Sequence, residues 1–475
     1  MAKVITHTTE RTQHSATAWV LLIVSVACLT VLAISVPHLI TPGGWFSGGM
    51  AGEKFLYVAL IGYMGASVLY GASVALRQAD LQAGAVMLAR GGLLLHTLAI
   101  AARWYSSGHA PLSDIYEMVL VFSWAVVAAH SLAEWKLNLP FLGAITLPIA
   151  ALALILMQVL PGEIHPLVPA LQSTWLQIHV TLAMLSYAGF TLSFAVALLY
   201  LIKDGFSVRD FLTWVSALAV VVYGAVVLTS VNGSMALMMA AWDPVAHEKV
   251  FVAPRKALLV PLELLGWPFV IALSLAALTL ALNLVAAYSA QPERWDKSVG
   301  AAFYAALAAQ AVALALLLVK VNSGLQYVAQ VGQSFEVRLH DSPFLLAGIS
   351  TVLFASIAWK VLDWKFDSIA GYLPSRDTLD NLIYRTVAIS FPLLTFMIIA
   401  GAYWANRTWG KYWSWDPKED WALITWITYA AYIHMRLTRG WRGRRSAYFA
   451  IIGFGVVMFT FFGVTYLLGG LHAYS

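Results

Sequence analysis

The sequence predicts an all-α, polytopic membrane helix bundle of about thirteen transmembrane helices, with its N-terminus cytoplasmic and its C-terminus extracytoplasmic. Three observations carry this. Of the 475 residues, 61% are hydrophobic and 11% charged, against roughly 45–50% and 25% in a soluble domain. Apolar runs recur along the chain, each near the length of about 20 residues that a helix needs to cross a bilayer core of about 30 Å. Lysine and arginine fall unequally on alternate connecting segments. So little polar surface cannot cover a water-soluble globule, which excludes a cytoplasmic enzyme, a secreted disulfide scaffold and a disordered chain. The runs are long and continuous, whereas a membrane β-barrel needs short alternating segments.

In order, the spans are expected at 17–37, 54–76, 83–104, 115–134, 140–160, 177–202, 210–230, 257–288, 297–320, 343–362, 383–404, 421–437 and 447–469. The first begins late and lacks a small-residue cleavage site, so it reads as an anchor rather than a signal peptide. With the N-terminus inside, cytoplasmic segments carry 18 of the 28 basic residues. The densest group, Arg436, Arg439, Arg442, Arg444 and Arg445, lies in one short loop. An odd number of spans then leaves the C-terminus outside. The outward segments are 105–114, 161–176, 231–256, 321–342, 405–420 and the tail after 469, none long enough to be an independent domain. The only cysteine, Cys28, sits in the first span, so no internal disulfide, cysteine metal cluster or Cys-x-x-Cys-His haem-attachment box exists.

The most informative stretch runs from Trp404 to Trp421. Trp404, Trp409, Tyr412, Trp413, Trp415 and Trp421 are interleaved there with Arg407, Lys411 and Lys418. Interfacial aromatic belts are general in membrane proteins. The clustering with cations suits something more particular, a flat apolar macrocycle with carboxylates, which wants rings to stack on and cations to meet its charge. Asp416-Pro417-Lys418-Glu419 reads as a helix start with aspartate as N-cap, proline at the first helical position and glutamate at the third, a capping box. The loop is therefore expected to be ordered.

The segment WGKYWSWDPKEDWALITW at 409–426 resembles the tryptophan-rich signature of cytochrome c assembly proteins that handle haem, in particular the CcsA (ResC) branch of the system II haem lyases. The resemblance extends to Leu379–Arg385, Tyr432–Arg436 and Gly470–Tyr474. It also includes Arg103-Trp104, Gly108–Glu117 and Trp175–Val180. It implies a membrane protein that delivers haem b and presents it to the CxxCH thiols of an apocytochrome c on the outer face. The implied setting is the bacterial cytoplasmic (inner) membrane, with a CcsB/ResB-like subunit and a thiol-reducing protein as partners and no nucleic acid. Residues 204–375 depart from the typical pattern and read as an added block of four spans. Three parts are expected, 1–203 with an outward histidine, the block 204–375, and a haem-handling core at 376–475.

Among twelve histidines, His179 at the outer entrance of one span and His472 after the outer end of the last lie at one depth. They match the family's outward haem ligands, and paired neutral imidazoles ligate iron from both faces. His434 lies thirteen residues after Trp421, roughly 20 Å along a helix, and the resemblance assigns it to an inner haem site. The second ligand there is attributed to the partner subunit, with His130 and His96 as internal alternatives. The candidate haem-binding set is His179, His472, His434, Trp409, Trp413, Trp415, Asp416, Arg407 and Lys411. His109 shapes its loop, and His7, His14, His38, His165, His247 and His340 are scattered. Trp242-Asp243-Pro244 only echoes the tryptophan loop. Glu117 and Glu263 are expected to pair with Arg103 and Arg255. Two other functions fit the same residues: a haem exporter or chaperone that forms no thioether, and a transporter of another flat amphiphile.

Overall fold

The structure is a computed structural model that describes residues 52–137, 139–157, 160, 162, 164, 166–231, 237–243, 248–251, 263–331, 335–339 and 343–468. The expected span 17–37 lies outside the described residues, as do Cys28, His7, His14, His38, His165, Pro244, His247, Arg255, His340 and His472.

The other twelve expected spans coincide with helices: α1 Glu53–Leu76, α2 Ala79–Ser107, α3 Ile115–Leu137, α4 Gly143–Met157, α5 Thr174–Lys203, α6 Val208–Val231, α7 Glu263–Tyr288, α8 Asp296–Val331, α9 Pro343–Tyr372, α10 Arg376–Trp409, α11 Pro417–Thr438 and α12 Arg444–Met458. A π-helical turn, Phe459–Gly463, continues α12 into the short α13, Val464–Leu467. Among the described residues nine helical segments are long and apolar enough to cross a membrane, and the protein is a polytopic membrane protein. Three expected spans fall outside that set. Helix α4 has 15 residues, roughly 22 Å of rise, because Pro140–Leu142 forms a 3-10 turn before it. Helix α9 has a non-helical residue at Lys365. Helix α11 carries Glu419, Asp420 and Arg436 in its end turns.

The chain forms two compact units: residues 207–366 belong to one, and 38–157, 161–206 and 367–475 to the other. The first is built on α6, α7, α8 and most of α9. Tyr223 of α6, Phe269 of α7, and Ile349 and Val352 of α9 share one apolar core, while Leu212, Phe303 and Trp359 share another. The buried Asn283 amide is satisfied by the Arg209 carbonyl and the Thr213 hydroxyl. This unit also holds a sheet in segments that the sequence predicts as outward loops. The strands β1 Leu237–Asp243, β2 Glu248–Phe251 and β3 Phe335–Leu339 form an antiparallel sheet of order β2-β1-β3. Ala241 stands opposite Val250, and Ala240 opposite Glu336. Phe335-Glu-Val-Arg-Leu339 alternates apolar and charged residues at the strand period. Trp242 and Asp243 belong to β1.

The second unit contains α1 to α5 and α10 to α13. Its most extensive helix pair is α5 with α10, which run antiparallel and close together. A Cβ at Gly189 would fall 2.0 Å from the Ser390 hydroxyl. At one end Arg436 of α11 pairs with Asp380 of α10 at 2.7 Å, both buried. The same carboxylate accepts the Gly443 amide at 2.8 Å. Asp204, after α5, pairs with Arg376 and Arg444. The arginine-rich loop is thus tied to buried or half-buried carboxylates at the end of the unit opposite the tryptophan loop.

Candidate functional site, a cavity beneath the tryptophan loop

Within the second unit lies a cavity holding about 1010 Å³ of space, open mouth included. Helix α5 lines it with Leu176, His179, Val180, Ala183, Met184 and Tyr187, a spacing that defines one helical face. Helix α10 contributes Met397, Gly401 and Trp404, and the tryptophan loop adds Tyr412 and Trp413. Lys418 and Glu419 come from the first turn of α11, and Thr460 and Phe461 from the π-helical turn. The extra residue of a π turn shifts the side chains that follow it, which is why such turns recur at functional sites.

His179 is held in a defined way. Its Nδ1 donates to the Met397 carbonyl at 2.8 Å. A carbonyl only accepts, so the neutral ring carries its proton on Nδ1 and its lone pair on Nε2. Met397 is four residues before Gly401 in α10, and the imidazole lies in the space Gly401 leaves open. A Cβ there would sit 2.6 Å from Nδ1 and 2.7 Å from Cε1. On the same helix, Trp404 stacks beside His179 with centroids 6.5 Å apart. Trp404 is 2% exposed, and its indole N–H donates to the Ala170 carbonyl at 2.9 Å.

The loop has the order its sequence predicts. Asp416 caps α11 by accepting from the Lys418 amide at 3.0 Å, and the Glu419 carboxylate reaches back to the amides of Asp416 and Ser414. Trp415, just before the cap, takes a left-handed backbone with φ 57° and is 72% exposed. Such a conformation costs roughly 1–2 kcal/mol for a residue with a Cβ. Asp416→Ala is expected to lower the thermal stability of the purified protein in detergent by about 1 kcal/mol through the lost cap. Asp416→Asn, which keeps a capping oxygen, should leave the melting temperature near that of the wild type.

Opposite the loop, Arg103 and Glu117 form the pair expected from sequence, 2% and 1% exposed, with Nε 2.7 Å from Oε1. Arg103 also donates to the Gly162 carbonyl at 2.8 Å. The other Glu117 oxygen accepts the amide and hydroxyl of Ser113, a cavity residue, at 2.8 and 2.6 Å. This buried pair fixes one wall.

Of the candidate haem-binding residues, the structure brings His179 and Trp413 to this cavity. Trp409 stands behind Trp404, edge to face at 4.9 Å, and Trp413 meets Trp415 edge to face at 6.1 Å. Arg407 and Lys411 are exposed, and Arg407 donates to the Tyr403 hydroxyl at 3.3 Å. Asp416 is used in the cap. His434 is exposed on α11. His96 and His130 are fully buried, at 3.2 Å from the Tyr63 hydroxyl and 3.5 Å from the Tyr70 hydroxyl respectively. His109 lies at 3.1 Å from the Ala110 carbonyl. Met397, Gly401 and Lys418 are outside the candidate set; the sequence signal available for the first two is that they stand seven and three residues before Trp404, on one helical face.

Fold and cavity together define a polytopic membrane protein with a largely apolar site walled by histidine, tryptophan and one lysine. The family model for "Cytochrome C assembly protein" matches residues 112–272 and 267–472. Among curated relatives, the cytochrome c biogenesis protein CcsA of a Picosynechococcus is 31% identical over 396 residues, covering 82% of this chain and 87% of that protein. CcsA of a Synechococcus strain is 32% identical over 417 residues, covering 87% and 91%. CcsA of Pyropia yezoensis is 30% identical over 387 residues, covering 80% and 83%. The chain belongs to the cytochrome c assembly protein family.

Proposed function

We propose that this protein serves cytochrome c biogenesis by receiving haem b in the membrane and presenting it in the cavity beneath the tryptophan loop. There the vinyl groups meet the reduced CxxCH thiols of an apocytochrome c on the extracytoplasmic face. The observation that carries the reading is His179, an imidazole whose Nδ1 is committed to the Met397 carbonyl on the wall of an aromatic cavity. A ring fixed in that tautomer offers its other nitrogen to a metal, the arrangement usual for histidine ligands. On this reading His179 and His472, the latter outside the described residues, would be the two residues that hold the haem iron. Trp413 and Tyr412 cover the macrocycle, with Trp404 supporting His179 from behind. The protein supplies orientation, exclusion of water and electrostatics, while thiol and vinyl supply the reactivity. Each thioether forms by addition of S–H across a vinyl group, so no oxidant is consumed.

His434, exposed on α11, is suited to an inner site completed by a CcsB/ResB-like subunit. The setting is the bacterial inner membrane, with a thiol-reducing protein keeping the apocytochrome ready.

The test is His179→Gly in the purified protein. It is expected to lose most of the haem absorption and the maturation of a co-expressed cytochrome c, with added imidazole restoring both. Full haem content and normal maturation in that variant would remove the assignment. A wild-type protein that purifies with haem but matures no reporter, even with its partner subunit, is a carrier without lyase activity. One with no Soret band transports another amphiphile.

A further inference from the structure

We infer that Lys418 is the residue that holds a carboxylate of the molecule bound in the cavity, a propionate on the haem reading above, on which this inference rests. Three observations converge. Lys418 lines the cavity, whereas Arg407 and Lys411, the cations the sequence favoured, are exposed and absent from its wall. Among the described residues no hydrogen bond or ion pair engages the Lys418 ammonium; only its backbone amide is used, in the cap. Lys418 also occupies the second position of α11, where the positive end of the helix dipole disfavours a cation.

A half-buried ammonium in an apolar wall, at the unfavourable end of a helix and with no partner among the described residues, is costly unless an anion arrives. Position 418 precedes the expected span 421–437. There burial holds the ammonium below the usual lysine value, with the Asp416 carboxylate opposing the shift. Neither nearby carboxylate is a substitute for a ligand. Asp416 accepts the Lys418 backbone amide, and Glu419 is engaged by Ser414 and the Asp416 amide. The ligand class that satisfies Lys418 is therefore an apolar plate bearing an acidic edge, and the carboxylate sets which edge of the plate faces α11.

The experiment titrates the full-length protein in detergent, stripped of porphyrin, with haem and with haem dimethyl ester. The wild type should favour haem about tenfold or more, the scale of one charge-assisted contact in a partly dry site. Lys418→Met should bring the two ligands to near-equal affinity, and Lys418→Arg should restore most of the preference. Melting temperatures of both variants in detergent check that the fold is kept. If the wild type binds haem but not in preference to its ester, the inference fails while the cavity reading stands. It fails equally if Lys418→Met keeps the preference, or if that variant alters only the rate of haem attachment. If the wild type binds neither ligand, the cavity reading falls and the inference with it.

Discussion

Replacing Gly401 by alanine is expected to cost most of the bound haem, about as much as removing His179 itself. The new Cβ would lie 2.6 Å from Nδ1 and 2.7 Å from Cε1 of the imidazole, well inside van der Waals contact. Retreat of helix α10 would part its close packing on α5 at Gly189 and Ser390, which is itself costly. The ring must therefore swing away, losing its hydrogen bond to Met397 and with it the tautomer that leaves Nε2 for iron. Overpacking of this kind costs about 1–3 kcal/mol, so the protein should still fold. In a His179→Gly background the same alanine meets no tethered ring, and added imidazole is free to shift away from it, so the alanine should change rescued haem binding less than it changes binding with His179 present. The absorption spectrum separates the two effects. On the proposed haem reading, a changed haem spectrum in Gly401→Ala, with a melting temperature only modestly lower, is the expected result. An unchanged spectrum would show that His179 is not positioned through Gly401.

Arg103→Met is expected to be the most destabilising single change around the site, lowering stability by about 3–5 kcal/mol. The reason is less the lost attraction than the charge left behind. Glu117 is 1% exposed, and an uncompensated buried carboxylate carries a desolvation cost of that order. Arg103 also satisfies the Gly162 carbonyl, so the loop at 162 loses an anchor in the same step. Ser113 hangs from Glu117, and the effect should therefore reach the cavity wall. Glu117→Gln on the Arg103→Met background removes the stranded charge and should recover a large part of the loss in a detergent melting experiment. No recovery would mean that Arg103 acts mainly through the Gly162 carbonyl.

Much of this molecule was legible in its sequence for reasons of composition and period. Sustained apolar runs dictate helices in a solvent that offers the backbone no hydrogen bonds. The Asp416-Pro417-Lys418-Glu419 cap is a local device, closed within four residues, and it formed as written. The pairing of Arg103 with Glu117 was similarly near in sequence. Less local features escaped. The sheet of β1, β2 and β3 joins segments about a hundred residues apart, and its alternation was too short to stand out among long hydrophobic runs. The role of each aromatic residue in the tryptophan loop also escaped, since clustering does not say which ring faces inward. The same holds for the choice between Lys418 and the cations at 407 and 411. All three lie close together in the sequence, but only the first turn of α11 places one of them against the cavity.

By itself the sequence determined that the chain lives in a membrane as a helical bundle, and that an ordered aromatic loop precedes α11. Both follow from hydrophobic burial and short-range hydrogen bonding, which act between neighbours in the chain. Tertiary structure alone decided that His179 meets Met397 and Gly401, more than two hundred residues away. It alone decided too that Lys418 stands in the wall of the cavity, with no ion pair to its ammonium among the described residues. Those depend on how closely two helices approach and on which face each turns, and no run of adjacent residues encodes that distance.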